Sequence, residues 1–132
     1  MALRDLLRRI LVAQSLSPAA RVNGTATGSA VDLRGYDAAV ICVAFGAYTD
    51  GTHTPSLQHS TDGVTYTNAA TSDLDGAFAA VSGAGGANSL QQIGYIGSQR
   101  FVRVVMTTAG ATTGALSQAS VIAGYPRNMP TQ

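Results

Sequence analysis

The residues of this chain that could do chemistry are few: two histidines, a single cysteine, a handful of aspartates and a scatter of serines. His53 and His59 stand near Asp50-Gly51 and Asp62-Gly63, and imidazole with carboxylate is a common metal-ligand set. Their spacing does not converge, because His59 alternates with Leu57 along an expected strand while His53 is expected in a turn. Asp50, Asp62, Asp73 and Asp75 make no calcium-loop ladder and read as turn caps. No Gly-x-Ser-x-Gly elbow occurs, since Gly28-Ser29 and Gly97-Ser98 lack the second glycine. Glutamate is absent, so a paired-carboxylate glycosidase would have to use aspartates that belong to turns. Gly83-Ala-Gly-Gly86 has no lysine after it, as a phosphate loop requires. Cys42 can form no intrachain disulfide and sits in the apolar run Ala38–Phe45, where a small buried side chain is expected. The expectation is a protein that is not an enzyme, with no cofactor and no metal.

The elements that would position these residues follow from composition. Charged residues are 11% of 132, less than half the usual share of about 25%, and the formal net charge is +1. Such a chain offers no field for nucleic acid or an acidic membrane, and neither is expected as a partner. Arg100 and Arg103 flank Phe101, but one arginine pair on a neutral chain reads as an exposed strand face. The apolar run Ala38–Phe45 is too short to span a bilayer. Asp5 and the brevity of Ile10–Ala13 argue against an export signal. Every acid is Asp and every base Arg, and the lack of Glu and Lys argues against a helical bundle.

Two regions differ in period. Leu3, Leu6, Leu7, Ile10 and Leu11 recur at helical spacing, with Arg4, Arg8 and Arg9 on the other side, which predicts a short amphipathic helix or arm ended by Ser17-Pro18. A helix of about 12 residues is marginal alone, so this one needs a surface, either its own domain or another subunit. From Val22 onward short alternating runs are separated by Gly, Asp and Ser turns. Ala38–Tyr48 is apolar on both faces and reads as a central strand. Ser56–Ser60 and Val64–Thr67 flank Thr61-Asp-Gly63 as a hairpin, and Gln91–Ile96 with Arg100–Thr107 reads as another pair across Gly97-Ser98. Ser82–Ser89 is expected to be a mobile loop. The predicted fold is all-β: an antiparallel jelly-roll or β-sandwich of about eight strands. Residues 1–22 form the arm, and residues 23–132 form the sandwich domain with an extended C-terminal tail.

An ordered set of segments carries a resemblance. Gly28-Ser-Ala-Val-Asp-Leu-Arg-Gly-Tyr36, Tyr48-Thr-Asp-Gly-Thr52, Ser60-Thr-Asp-Gly-Val-Thr-Tyr66, Ile93–Val104 and Gly124-Tyr-Pro-Arg127 resemble a family of small tailed-bacteriophage head proteins. The likeness covers about Asn23 to Arg127. It implies a capsid decoration, or cement, protein of the virion's outer surface, made in the bacterial cytoplasm. Its partners would be the major capsid protein and further copies of itself, as a homodimer or homotrimer. It implies no catalytic residues. The residues expected to meet a partner are Leu3, Arg4, Leu6, Leu7, Arg8, Arg9, Ile10 and Leu11. A carbohydrate-binding sandwich of a head or tail fibre is the alternative. Sugar platforms usually offer exposed aromatics, and this chain has five Tyr and no Trp.

Overall fold

The computed structural model describes residues 6–126, and strands carry nearly all of its regular structure. In chain order they are β1 (Leu11–Arg21), β2 (Gly24–Thr27), β3 (Val31–Asp32), β4 (Tyr36–Tyr48), β5 (Thr52–Ser60), β6 (Thr67–Asn68), β7 (Leu74–Asp75), β8 (Leu90–Tyr95), β9 (Phe101–Ala109) and β10 (Ala115–Pro126). One sheet has the order β1-β10-β4-β8-β7; the other runs β2-β9-β5-β6, with β3 also on β9. All pairings are antiparallel. The fold is a β-sandwich, as composition and turn spacing predict.

Alternation along the strands builds the core. Ile41, Val43 and Phe45 of β4 and Ala119 and Val121 of β10 point inward from the first sheet. Leu57 of β5 and Val102, Val104 and Met106 of β9 meet them from the second. Each such aliphatic side chain contributes roughly 1.5–3 kcal/mol when fully buried.

The expected amphipathic helix is not formed among the described residues. Leu7–Arg9 makes one 3-10 turn, with the Arg9 N–H on the Leu6 carbonyl at 2.9 Å, and the chain then enters β1. Strand β1 pairs with β10 from Leu11↔Ala123 to Arg21↔Ala115. The same residues satisfy both periods: Leu11 and Ala13 turn toward the core while Val12 and Gln14 face out. Pairing with β10 satisfies the backbone groups and buries Leu16 at 3% exposure, which an isolated short helix could not do. Ser17-Pro18 lies inside β1, where an edge strand tolerates proline, and makes the second of its two register shifts, Gln14/Leu16 and Leu16/Ala19.

Other expectations shift in detail. His53 lies within β5 and points inward with Pro55, Leu57 and His59. The hairpin after β5 is looser than a two-residue turn, since its register is Gln58↔Asn68 and His59↔Thr67. Strands β8 and β9 are not partners; the chain crosses there from one sheet to the other. Ser82–Ser89 holds a 3-10 turn at Ala84–Gly86 and is tied to β4 by Asn88 N–H to Gly46 O and Phe45 N–H to Ser89 O. The extended tail expected beyond Pro126 lies outside the described residues.

Candidate functional site

The two sheets present unlike outer surfaces. On the second sheet, the outward positions of β2, β5 and β9 include Thr25, Thr27, Thr52, Thr54, Thr107 and Arg103. Arg103 is held there by Gln58 Oε1 at 2.9 Å and by the Tyr66 ring, 3.8 Å from the guanidinium carbon. This is an ordinary solvated face.

The first sheet differs. Registers align Val12, Ile122, Val40 and Gly94 in one row across β1, β10, β4 and β8, and Gln14, Ser120, Cys42 and Gln92 in the next. Beyond them come Gln118, Ala44 and Leu90, then Ala20 beside Leu116. None of these outward residues is charged. Val12 is 58% exposed, Leu90 58%, Leu116 47% and Val40 38%. Scattered exposed aliphatics are common, whereas here they are neighbours on one sheet face.

One end of this face deepens into a groove of about 570 Å³ lined by Leu6, Arg9, Ile10, Val40, Ile122 and Pro126, among others. Leu6 and Leu7 beside it are 62% and 67% exposed, and Tyr125 is 78% exposed. Of the residues expected to meet a partner, Leu6, Leu7 and Arg8 are exposed on the 3-10 turn, while Arg9 and Ile10 are half-buried against the groove. Leu11 belongs to β1 and is half-buried in its pairing with β10. Leu3 and Arg4 lie outside the described residues.

The histidines, Asp50 and Asp62 serve the structure. His53 is fully buried, with Nδ1 at 3.1 Å from Thr108 Oγ1 and Nε2 at 2.9 Å from the Asp50 carbonyl. His59 is bonded to Tyr95 Oη at 2.9 Å and lies 3.3 Å from Gln99 Nε2. No group of three metal-ligating side chains occurs among the described residues. Asp50 caps the backbone N–H groups of Thr112, Thr113 and Gly114, with the Gly114 bond the shortest at 2.6 Å, and these bonds hold its carboxyl below the usual range. Asp62 accepts the N–H groups of Val64 and Thr65 and the Ser60 hydroxyl, and its pKa falls to about 2. Burial pushes the Cys42 thiol up, so it stays protonated at neutral pH and is a poor nucleophile.

A polar cleft of about 440 Å³ opens beside the groove, between the turn before β4 and the turn before β9. Tyr36, Arg34, Asp37, Tyr95 and Gln99 line it. Its wall is braced by a two-bond ion pair from Arg100 to Asp32, at 2.8 and 2.7 Å.

Reading the sequence as strands marked β4 as apolar on both sides but placed both sides in a core. The outward residues Val12, Leu90, Leu116 and Ile122 were missed. Their signal is the same double-sided alternation in β10, where Leu116 and Ile122 fall between inward alanines and Val121.

No protein-family model matches the chain, and no curated protein is similar to it. The fold is similar to that of a solved protein of Bacillus endospore appendages, described as a novel family of disulfide-linked pili. The TM-score is 0.50 and the identity 15%, over 91% of this chain and 90% of that one. A chain of infectious bursal disease virus, Gx strain, is similar over 93% of this chain at TM-score 0.49 and 10% identity, and only 34% of the viral chain is covered. The likeness to the appendage protein is one of architecture: the chain is a two-sheet β-sandwich.

Proposed function

We propose that the protein is a structural component of a tailed-phage head, a decoration or cement protein that sits on the outer capsid surface and bridges major capsid subunits. It acts by adhesion and makes or breaks no bonds. The observation that carries this reading is the surface made by the uncharged outer positions of β1, β10, β4 and β8 and the adjoining groove, which is mostly apolar with Arg9 and Asp37 on its walls. A brace needs a rigid body and projecting contacts, and Leu6, Leu7 and Tyr125 project beside that groove. The N-terminal residues, Leu3 to Leu11, are the anchor to the capsid. The ordered resemblance to phage head proteins supports the same reading, and so does the use of His53, His59, Asp50 and Asp62 as internal supports.

The test is reconstitution. Purified protein is added to capsids that lack it, and occupancy is measured by electron microscopy alongside the temperature of capsid rupture. Full-length protein should bind and raise that temperature, and a variant lacking residues 1–9 should lose most of the occupancy. Unchanged occupancy would remove the N-terminal anchor, and absence of the protein from virions would overturn the reading.

A second reading, a carbohydrate-binding module of a head or tail fibre, draws on the polar cleft with Tyr36, Arg34 and Asp37 on its walls. A specific glycan-array signal that Tyr36→Ala abolishes would favour it.

A further inference from the structure

We infer that the outer face of the first sheet is a self-association surface, on which a second copy of this chain packs sheet against sheet in a twofold dimer. This rests on the reading of the protein as a structural adhesive and names the partner of one of its surfaces.

Three observations choose a second copy over an unrelated partner. The first is charge. In a twofold contact the same patch meets itself, so a charged residue near the axis would face its own like charge. The outward positions of β1, β10, β4 and β8 carry no Asp and no Arg, and the carboxylate next to them, Asp75 of β7 opposite Gly94, stands at the sheet's margin, away from an axis between β10 and β4.

The second is the order of the rows. The polar row Gln14–Ser120–Cys42–Gln92 crosses the middle of the face. Val12, Ile122 and Val40 lie on one side of it, and Gln118, Ala44, Leu90, Ala20 and Leu116 on the other. A twofold axis in the plane between two such faces, centred on the middle row, lays polar row on polar row. Running along the strands between β10 and β4, it lays each row on itself, with Ile122 over Val40 and Gln118 over Ala44. Glutamine amides both donate and accept, so the polar row satisfies itself.

The third is area. Four strands at about 4.8 Å spacing, along the Leu116–Gly124 stretch of β10 at about 3.3 Å per residue, make a rectangle of roughly 20 by 30 Å. That is about 600 Å² before side-chain relief is counted, close to the ~800 Å² each partner gives to a standard interface. Sheets of two copies would lie about 10 Å apart, the ordinary spacing of a sandwich.

Sedimentation velocity and light scattering on the full chain test this directly. Wild-type protein should weigh twice 13.4 kDa at about 100 µM, where an interface of standard size is occupied. Val40→Arg and Ile122→Arg should be monomers with unaltered circular dichroism, because each sets like charges against each other across the axis. Thr54→Arg, on the opposite sheet, should remain a dimer. Cys42 provides a readout independent of any face variant: its alkylation by iodoacetamide should be slow in the dimer and should speed up about tenfold as wild-type protein is diluted into monomer. A wild-type monomer at that concentration, a trimer, or a dimer that survives both arginine variants would overturn the inference. A monomer that still coats capsids would sink the dimer alone. A dimer that ignores capsids would sink the decoration role alone.

Discussion

The Ser15 hydroxyl accepts the backbone N–H of Val104 at 3.0 Å and donates to the Ser29 carbonyl at 2.8 Å. Ser15 lies at the first register shift of β1, where it continues the inward alternation of Leu11 and Ala13, and the bulge turns the next residue, Leu16, inward as well. Ser15 fills the gap between β2 and β3 along β9, and so joins the edge of one sheet to the other. Gly28 leaves room for this, since a Cβ there would collide with the Ser15 hydroxyl.

Ser15→Ala should therefore strand the buried Val104 N–H and remove a partner of the Ser29 carbonyl. The expected loss is about 1–3 kcal/mol, read as a fall in the denaturant midpoint with little change in slope. A loss below about 0.5 kcal/mol would mean that water or a shifted β1 replaces the hydroxyl.

Gly114 has φ +85°, and a Cβ on it would run into the Arg21 carbonyl oxygen. Gly114→Ala should cost about 3 kcal/mol or more and lower the melting temperature by roughly 10 °C for a chain of this size. Gly110→Ala is the informative comparison, because Gly110 shares a positive φ of +69° but has open space around its missing Cβ. It should cost clearly less.

Asp50→Ala should release the β9–β10 loop. The amides of Thr112, Thr113 and Gly114 bond to its carboxylate, and their hydrogen exchange should accelerate while amides of β4 keep their protection. Uniform acceleration across the sandwich would show a global loss of stability and not a local one.

Asp62 sets a pH dependence of definite sign. Its pKa falls to about 2, chiefly through the Val64 and Thr65 N–H groups, against about 3.9 in an unfolded chain. A carboxyl lowered by folding stabilises fully above its unfolded pKa and stops doing so as pH falls through its folded one. The melting difference between wild type and Asp62→Ala should thus be complete at pH 6 and shrink progressively from about pH 4 toward pH 2. A difference that stays constant down to pH 2 would assign the effect to turn conformation alone.

Much of the fold was legible because composition and alternation are local properties. The lack of Glu and Lys, the double-sided run in β4 and the Asp-Gly turns all point to a sandwich before any pairing is known. What escaped depends on distant partners. Residues 6–16 fit a helical and a strand period equally well, and the choice is made by β10, with Leu11 opposite Ala123. Gly97-Ser98 resembles a hairpin turn, yet the chain there changes sheets. His53 follows an Asp-Gly turn but is drawn into β5 by Thr108 and the Asp50 carbonyl. The N-terminal residues were picked out as a contact region, and the structure sets Leu6, Arg9 and Ile10 along the groove. The broad sheet face beside them was hidden, because an apolar residue that waits for a neighbour looks the same in sequence as one already enclosed.

The margins of both sheets are blunt. Strands β6 and β7 are two residues long, β2 is four, and β1 is broken by Pro18 and two register shifts. Among the described residues none offers a long, straight ladder of free donors and acceptors, so each edge is a poor template for a further strand. In the self-association proposed above, copies would therefore meet broadside, on the wide face, and not through these edges.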